Sequence, residues 1–247
     1  MNTWITSDTH FTHTNIAVGS SRWPGGAKYV PRDENEVLIP LGTGGQRNFK
    51  NEFVMTDVLI NTINSQAKQG DKIRHGGDWG FSGIDNIIKT RLRIVCDDIS
   101  ISLGNHDHLI LKNRRIPEHL LSEVQARFPG ATHLQDLFTE VTLKQSFRIG
   151  KIATTLQHYA ERIWDKSHHG TIQLHGHSHA GLENERGGSH PINKFFNEHR
   201  TMDVGIDNAF RIFGEYRLFH IDEVKRIMEK RKPRLRMFDH HDKDTNR

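Results

Sequence analysis

The sequence is poor in the features that define several classes of protein. It has a single cysteine, Cys96, in 247 residues, so an internal disulfide cannot form and a disulfide-built secreted domain is excluded. Mean hydropathy is −0.65, and no apolar run approaches the roughly 18 residues that a membrane-spanning helix needs. Residues Met1–Thr6 carry neither the charged nor the apolar region of a signal peptide. These absences predict a cytoplasmic protein with no membrane-embedded part.

Basic charge is concentrated near the end of the sequence. The formal net charge is +4 and the isoelectric point is about 9.2. Between Lys225 and Arg236 lie seven basic residues and one acidic residue, a net charge of +6, so the rest of the chain carries −2. We expect a main domain over 1–222 and, over 223–247, a C-terminal helix with a disordered basic tail. Contact between this tail and nucleic acid is the alternative interpretation.

Strand and helix patterns alternate along the first half of the chain, and a hairpin pattern follows. The predicted strands are 3–7, 72–76, 98–103, 137–149, 151–156, 171–174 and 216–219. The predicted helices are 48–66, 85–95 and 222–230. Segment 17–45 is predicted to be a long loop with about one helical turn in 33–39. The alternation is typical of a layered α/β domain.

Histidine is abundant, with 18 residues, and it is both the commonest metal ligand and a frequent acid–base group. Polar clusters follow the predicted strand ends, where open α/β sheets place their sites. These clusters are Asp8-Thr9-His10, Gly77-Asp78, Gly104-Asn105-His106-Asp107, His158 and Gly176-His177-Ser178-His179. Carboxylate, amide and imidazole ligands together suit divalent ions such as manganese, iron, zinc or nickel. The pattern therefore predicts a transition-metal site.

In this order the clusters resemble the motifs of the calcineurin-like metallophosphoesterases, which read D-x-H, G-D, G-N-H-[D/E], H and G-H-x-H. The resemblance covers about residues 1–219, and all five motifs are intact. Segments 4–11, 174–179 and 203–207 are most similar to a bacterial and phage subgroup known only as predicted phosphoesterases. Trp79-Gly80-Phe81 after Asp78, and Asp107 in place of a glutamate, disfavour the Ser/Thr protein phosphatase branch.

The resemblance implies an α/β fold, a four-layer sandwich of two mixed β-sheets flanked by helices. It implies two divalent transition-metal ions, manganese first, with iron, zinc or nickel as alternatives. The implied ligands are Asp8, His10 and His179 for one ion, Asn105, His158 and His177 for the other, and Asp78 as the bridge. A hydroxide between the ions would attack phosphorus, His106 would protonate the leaving group, and Asp107 would orient His106.

The function predicted on this basis is metal-dependent hydrolysis of a phosphodiester of nucleotide type. A phosphomonoesterase, a nuclease that uses the basic tail and a catalytically silent binding protein are the alternatives. The candidate substrate contacts are His13, Arg22, Tyr159 and Arg162. The aromatic residues that could stack a nucleobase are Phe11, Trp23, Trp79, Tyr159 and Trp164. The alternative interpretations are packing under long loops for the aromatic residues and ordinary exposed charge for the basic residues.

Overall fold

Two β-sheets form the centre of the fold in the computed structural model, which describes residues 1–17, 47, 49–183 and 191–233. The strands are β1 Thr3–Thr6, β2 Lys72–His75, β3 Asp98–Ser102, β4 Glu140–Thr142, β5 Lys144–Ile149, β6 Ile152–Gln157, β7 Ile172–His175, β8 Thr201–Asp203 and β9 Phe219–His220. The helices are α1 Thr14–Ala17, α2 Glu52–Gln66, α3 Ile84–Arg93, α4 His108–Leu111, α5 Glu118–Arg127, α6 Pro191–Glu198, α7 Ile206–Phe213 and α8 Ile221–Glu229. No helix in these ranges combines the length and the hydropathy required to cross a bilayer.

Each sheet combines parallel strands with one antiparallel pair. The first has the order β4-β3-β2-β1-β9, in which β9 runs antiparallel to β1. The second has the order β5-β6-β7-β8, in which β5 runs antiparallel to β6. All other neighbours are parallel. The predicted α/β fold, with two mixed sheets flanked by helices, is confirmed.

The first sheet is covered on both faces, as its strand β1 demonstrates. Trp4 packs against the apolar cluster that includes α2 and α3, whereas Ile5 belongs to a second cluster with Leu156 and Leu174 of the other sheet. Consecutive residues of a strand point to opposite faces, so helices cover one face and the second sheet covers the other. Each fully buried side chain of this kind contributes about 1.5–3 kcal/mol of transfer free energy.

The prediction of a single strand over 137–149 is wrong. Its residues instead form part of a 3₁₀ turn, Leu134–Leu137, and then β4 of the first sheet and β5 of the second. The chain passes from one sheet to the other at Leu143, whose side chain is 68% exposed. The turn predicted at Gly150-Lys151 is confirmed, with Ile149 paired to Ile152.

Helix α2 begins four residues later than predicted. The side chain of Asn51 accepts hydrogen bonds from the backbone N–H groups of Phe53 and Val54 at 3.0 and 2.9 Å. This is the geometry of a helix N-cap, and it determines where the helix starts. The predicted strand over 216–219 is reduced to β9, while α4, α5, α6, α7 and β8 were not predicted.

The described part of the basic C-terminal region packs against the domain. Val224 and Met228 of α8 are buried in the second apolar cluster. Arg231 donates to the carbonyl oxygens of Phe196 and Thr201, and Lys232 pairs with the carboxylate of Glu198. Residues 234–247, and all but the first residue of the predicted loop 17–45, lie outside the described residues.

Candidate metal centre

The five polar clusters come together because the strands before them are parallel and end at the same side of the two sheets. They follow β1, β2, β3, β6 and β7. The loops are tied to one another by backbone hydrogen bonds, including those from Asp8 N to Gly77 O and from Gly176 N to His158 O. Gly77 has a φ of +103°, and a Cβ atom there would lie 2.6 Å from the backbone of the β3 loop. Only glycine allows this approach.

One set of ligand-type side chains, which we name the inner group, consists of Asp8, His10 and His179. All three are buried, and their candidate ligand atoms lie within 4.8 Å of one another. Neither ring nitrogen of His10 has a hydrogen-bond partner. Burial, reinforced by the charge of His179, lowers the pKa of His10 well below its ordinary value. A neutral, buried imidazole without a hydrogen bond needs an explanation, and a role as a metal ligand provides one.

The outer group consists of Asp78, His158 and His177, whose ligand atoms also lie within 4.8 Å of one another. His158 Nε2 is 3.3 Å from Asp78 Oδ2 and 3.0 Å from the side-chain oxygen of Asn105. Burial alone would lower the pKa of His158, but the hydrogen bond to Asp78 and the charges of Asp8 and Asp78 raise it to about 9. The same negative potential would attract a metal cation.

Asp78 lies between the two groups. Its Oδ2 atom is 3.5 Å from His10 Nε2 and 3.3 Å from His158 Nε2, and its Oδ1 atom accepts a hydrogen bond of 2.8 Å from the backbone of His106. Burial would raise the pKa of Asp78, but the bond to His158 and its charge lower it, so the carboxylate is ionised at neutral pH. A carboxylate in this position can contribute oxygen atoms to both groups.

The ligand-type residues occupy an unusual region of backbone conformation. Those with φ between 46° and 65° are Asp8, His10, Asp78, His177 and His179. The left-handed region costs a non-glycine residue on the order of 1–2 kcal/mol, and it is retained where the surrounding structure compensates. Five of the seven predicted ligands have this conformation, a concentration that is typical of functional sites.

A third group of histidines lies at the edge of the centre. His10, His13 and His106 have ligand atoms within 4.8 Å of one another, so they too could hold an ion. The His106 ring lies 5.2 Å from that of His10 and 5.4 Å from that of His13. Phe81 packs against His13 at 4.3 Å and remains 41% exposed. The structure thus brings the predicted acid, His106, and the predicted substrate contact, His13, beside the inner group.

The predicted contact between Asp107 and His106 is wrong. Both carboxylate oxygens of Asp107 accept backbone N–H groups, those of Asp78 and Gly104 at 2.7 and 2.8 Å and that of Trp79 at 2.9 Å. No hydrogen bond joins Asp107 to the His106 ring among the residues described. Asp107 therefore connects the loops after β2 and β3, and burial raises its pKa to about 6.

Of the remaining candidate substrate contacts and aromatic residues, only some lie at the metal centre among the residues described. Tyr159 lies at the centre, with its hydroxyl group 3.5 Å from Asn105 Oδ1 and its ring 4.7 Å from that of His177. Arg162 is exposed and lies over the ring of Phe195, and the described contacts place it against no predicted ligand. Arg22 and Trp23 lie outside the described residues. The rings that are buried, and therefore pack in the interior, are Phe11, Trp79 and Trp164.

Sequence reasoning missed residues that support the ligands. Asp207 accepts a hydrogen bond of 2.7 Å from His179 Nδ1, and both of its oxygens accept from Arg47. Asp203 accepts hydrogen bonds from Ser178 and Ala180, which flank His179. The motif over 203–207 contained a signal for the two aspartates, whereas nothing local marked Arg47.

Comparison with known proteins establishes only the fold. Neither a protein-family model nor a curated protein matches the sequence. The crystal structure of a protein of unknown function from Aquifex aeolicus is similar, with a TM-score of 0.51. It shares 14% sequence identity, and the match covers 92% of this chain and 98% of that one. At this identity the likeness concerns the arrangement of sheets and helices and carries no information on activity.

Proposed function

We propose that this chain is a metal-dependent phosphoesterase of the calcineurin-like type with two metal positions. The observation that carries the proposal is the placement of Asp78 between two sets of ligand-type side chains, 3.5 Å from His10 and 3.3 Å from His158. Reactions at phosphorus commonly use two metal ions about 3.5–4 Å apart that share a ligand. The intact set of five motifs supports the same interpretation.

The donor set fits divalent transition ions, manganese first and iron, zinc or nickel as alternatives. Asp8, His10 and His179 would hold one ion, Asn105, His158 and His177 the other, and Asp78 would contact both. The unpartnered nitrogens of His10 support this fit, because a buried imidazole is rarely left without a partner. When bound, the ions would neutralise phosphoryl oxygens and lower the pKa of a water molecule.

His106 is the residue we assign to proton donation. Its ring is half-buried beside the inner group, and its backbone N–H is fixed 2.8 Å from Asp78 Oδ1. An imidazole in this position can protonate the oxygen that leaves phosphorus. Asp107 contributes indirectly, because its three backbone hydrogen bonds hold the loop of His106 against the loop of Asp78.

Two partly exposed aromatic rings support a nucleotide-type phosphodiester as the substrate. Phe81 is 41% exposed and packs against His13, beside the proposed acid. Tyr159 is 52% exposed and packs against the ligands His158 and His177. A base stacked on an aromatic side chain gains about 1–3 kcal/mol. Rings on both sides of the centre would suit a diester with a planar group at either end.

A substrate panel tests this function directly. Cyclic nucleotides, dinucleotides, bis-p-nitrophenyl phosphate and p-nitrophenyl phosphate would be assayed with Mn²⁺, after chelation, and with the Asp78→Asn variant. We expect turnover of diesters above that of monoesters, and its loss in the chelated protein and in the variant. A preference for monoesters would replace the diesterase with a phosphomonoesterase. Tight binding without turnover would identify a silent binding protein and overturn the enzymatic proposal.

A further inference from the structure

Arg47 is a fully buried arginine at the base of the inner group. Nε donates to Asp207 Oδ1 at 3.0 Å, and one terminal nitrogen donates to Asp207 Oδ2 at 3.0 Å and to the carbonyl oxygen of Asp8. The other terminal nitrogen donates to the carbonyl oxygen of Thr9 at 2.6 Å and contacts Met55 Sδ at 3.4 Å. An arginine has five N–H donors, and each of them has an acceptor here.

Asp207 connects this arginine to a predicted metal ligand. Its Oδ2 atom accepts from Arg47 and also from His179 Nδ1 at 2.7 Å. A carboxylate oxygen that already accepts from a guanidinium acts as an acceptor toward the ring, so a neutral His179 carries its proton on Nδ1 and its lone pair on Nε2. Carboxylates that orient metal-binding histidines act in this way.

We propose that Arg47 and Asp207 form one positioning unit that sets the metal affinity of the inner group without setting that of the outer group. The unit orients His179 through Asp207. It also holds the backbone on both sides of Thr9, where Asp8 and His10 have φ values of 55° and 48°. The proposal rests on the metal centre of the proposed function.

The outer group has separate supports. His158 Nδ1 donates to the carbonyl oxygen of Gly76 at 3.1 Å, and Asp78 is held by the backbone N–H of His106 at 2.8 Å. Neither contact involves Arg47 or Asp207. Two links between the groups remain: Asp78, which lies near both His10 and His158, and the backbone of His177, which donates to the carboxylate of Asp8 at 3.0 Å. A defect in the Arg47–Asp207 unit should therefore fall mainly on the inner ion.

The test is a titration of metal-free protein with Mn²⁺, in which binding is measured by calorimetry and by electron paramagnetic resonance. The wild-type protein should bind two ions, and the filled centre should give the spectrum of a coupled pair. In Asp207→Asn one ion should bind about 10–100-fold more weakly, which is the usual effect of losing such a partner. The other ion should keep its wild-type affinity, and at low Mn²⁺ the spectrum should be that of an isolated ion.

A second variant distinguishes a loss of metal affinity from a failure to fold. Asp207→Asn leaves a buried guanidinium without its counter-ion, which destabilises proteins. The double variant Arg47→Met/Asp207→Asn removes both charges, so it should fold, as circular dichroism of the metal-free protein will check. The double variant should still bind the inner ion weakly. Its affinity for that ion should be no lower than that of the more strongly impaired single variant, because the two residues act as one unit. Arg47→Lys should also bind the inner ion more weakly than the wild type, since lysine cannot form the paired contact with Asp207.

Asp71→Asn is the matched control. Asp71 is a buried aspartate that accepts hydrogen bonds from the backbone of Asn2 and the indole of Trp4. It lies just before β2, at the end of the first sheet opposite the candidate metal centre. Its substitution should leave both ions unchanged. Wild-type inner-ion affinity in the double variant, or equal weakening of both ions, would overturn the positioning role. Absence of Mn²⁺ binding by the wild-type protein would instead overturn the proposed function itself.

Discussion

The inner and outer groups contain the same kinds of side chain but differ in how they are held. Asp8, His10 and His179 are all buried, and Arg47 with Asp207 fixes the chain behind them. In the outer group His177 is exposed, and the neighbouring Asn105 is exposed as well. Under the proposed function we expect a division of work, because a buried position would favour retention of an ion and an exposed one would favour access for substrate and water. Asp78 is the connection between them.

The largest expected effect is the loss of activity in Asp78→Asn. This substitution tests whether the inner and outer groups form one centre. The substitution removes the negative charge that lies near both His10 and His158. We expect the loss of several kcal/mol of transition-state stabilisation, a fall in kcat of about 1,000-fold or more. Steady-state kinetics with saturating Mn²⁺ would measure it. A variant that retained the wild-type rate and metal content would show that Asp78 does not join the groups.

His106→Gln tests the side of the centre where the leaving group would lie. General acid catalysis is worth about 10²–10⁴-fold, and it matters most for a leaving oxygen of high basicity. The rate on a nucleoside or alkyl ester should fall by that factor, while a p-nitrophenyl ester should lose much less. Metal content should remain unchanged. Equal losses on both esters, or a loss of metal, would mean that His106 belongs to the ligand set with His10 and His13.

Paired ligand variants sharpen the contrast between the groups. His10→Ala should weaken mainly the inner ion and His158→Ala mainly the outer ion. Each loss should exceed the 10–100-fold that follows the loss of a merely orienting partner. Competition of Mn²⁺ with a fluorescent chelator, using metal-free protein, would give both affinities. If the two variants weakened the same single position, the distinction between inner and outer groups would fail.

The smallest expected effect concerns His75, which lies beneath the loops of both groups. Its Nε2 atom bonds to Thr9 and its Nδ1 atom accepts from Gly77 N. Burial lowers the pKa of His75 to about 3, against an ordinary value of 6.5. Between pH 3 and pH 6.5 His75 is protonated in the unfolded chain but neutral in the folded protein. The free energy of unfolding therefore decreases as the pH drops below 6.5, by up to about 1.4 kcal/mol per pH unit.

His75→Gln cannot titrate, so its free energy of unfolding should depend less on pH in that window. Urea denaturation of both metal-free proteins between pH 7 and pH 5 would measure the difference. At pH 7 the variant should be the less stable protein, because the two hydrogen bonds of the imidazole are disturbed. Parallel pH profiles for the two proteins would show that His75 is not buried in the neutral form.

Much of the candidate site could be predicted because its information is local. Asp8, Asp78 and Asn105 each come within a few residues of a short apolar strand, and parallel strands bring such ends together. Arg47 could not be found in this way. Its partner Asp207 is 160 residues distant in the sequence, and a single arginine beside a glycine-rich segment has no periodicity to mark it.

The fold was predictable to a similar extent and for similar reasons. The mixed α/β character followed from the alternation of patterns, but the separation of β4 from β5 depends on tertiary pairing across Leu143 that no local pattern records. Helix α5 carried a usable signal, with Pro117 before it and Leu120 and Val124 buried four residues apart. Strand β8, with three residues, is too short for periodicity to identify.

The most direct test of the central claim is to locate the metal ions. Crystals of the protein grown with Mn²⁺ would be measured at the manganese absorption edge, and anomalous difference maps would show where ions bind. The account predicts two peaks, one among Asp8, His10 and His179 and one among Asp78, His158 and His177, with Asp78 in contact with both. A single peak, or a peak coordinated by His10, His13 and His106, would contradict it.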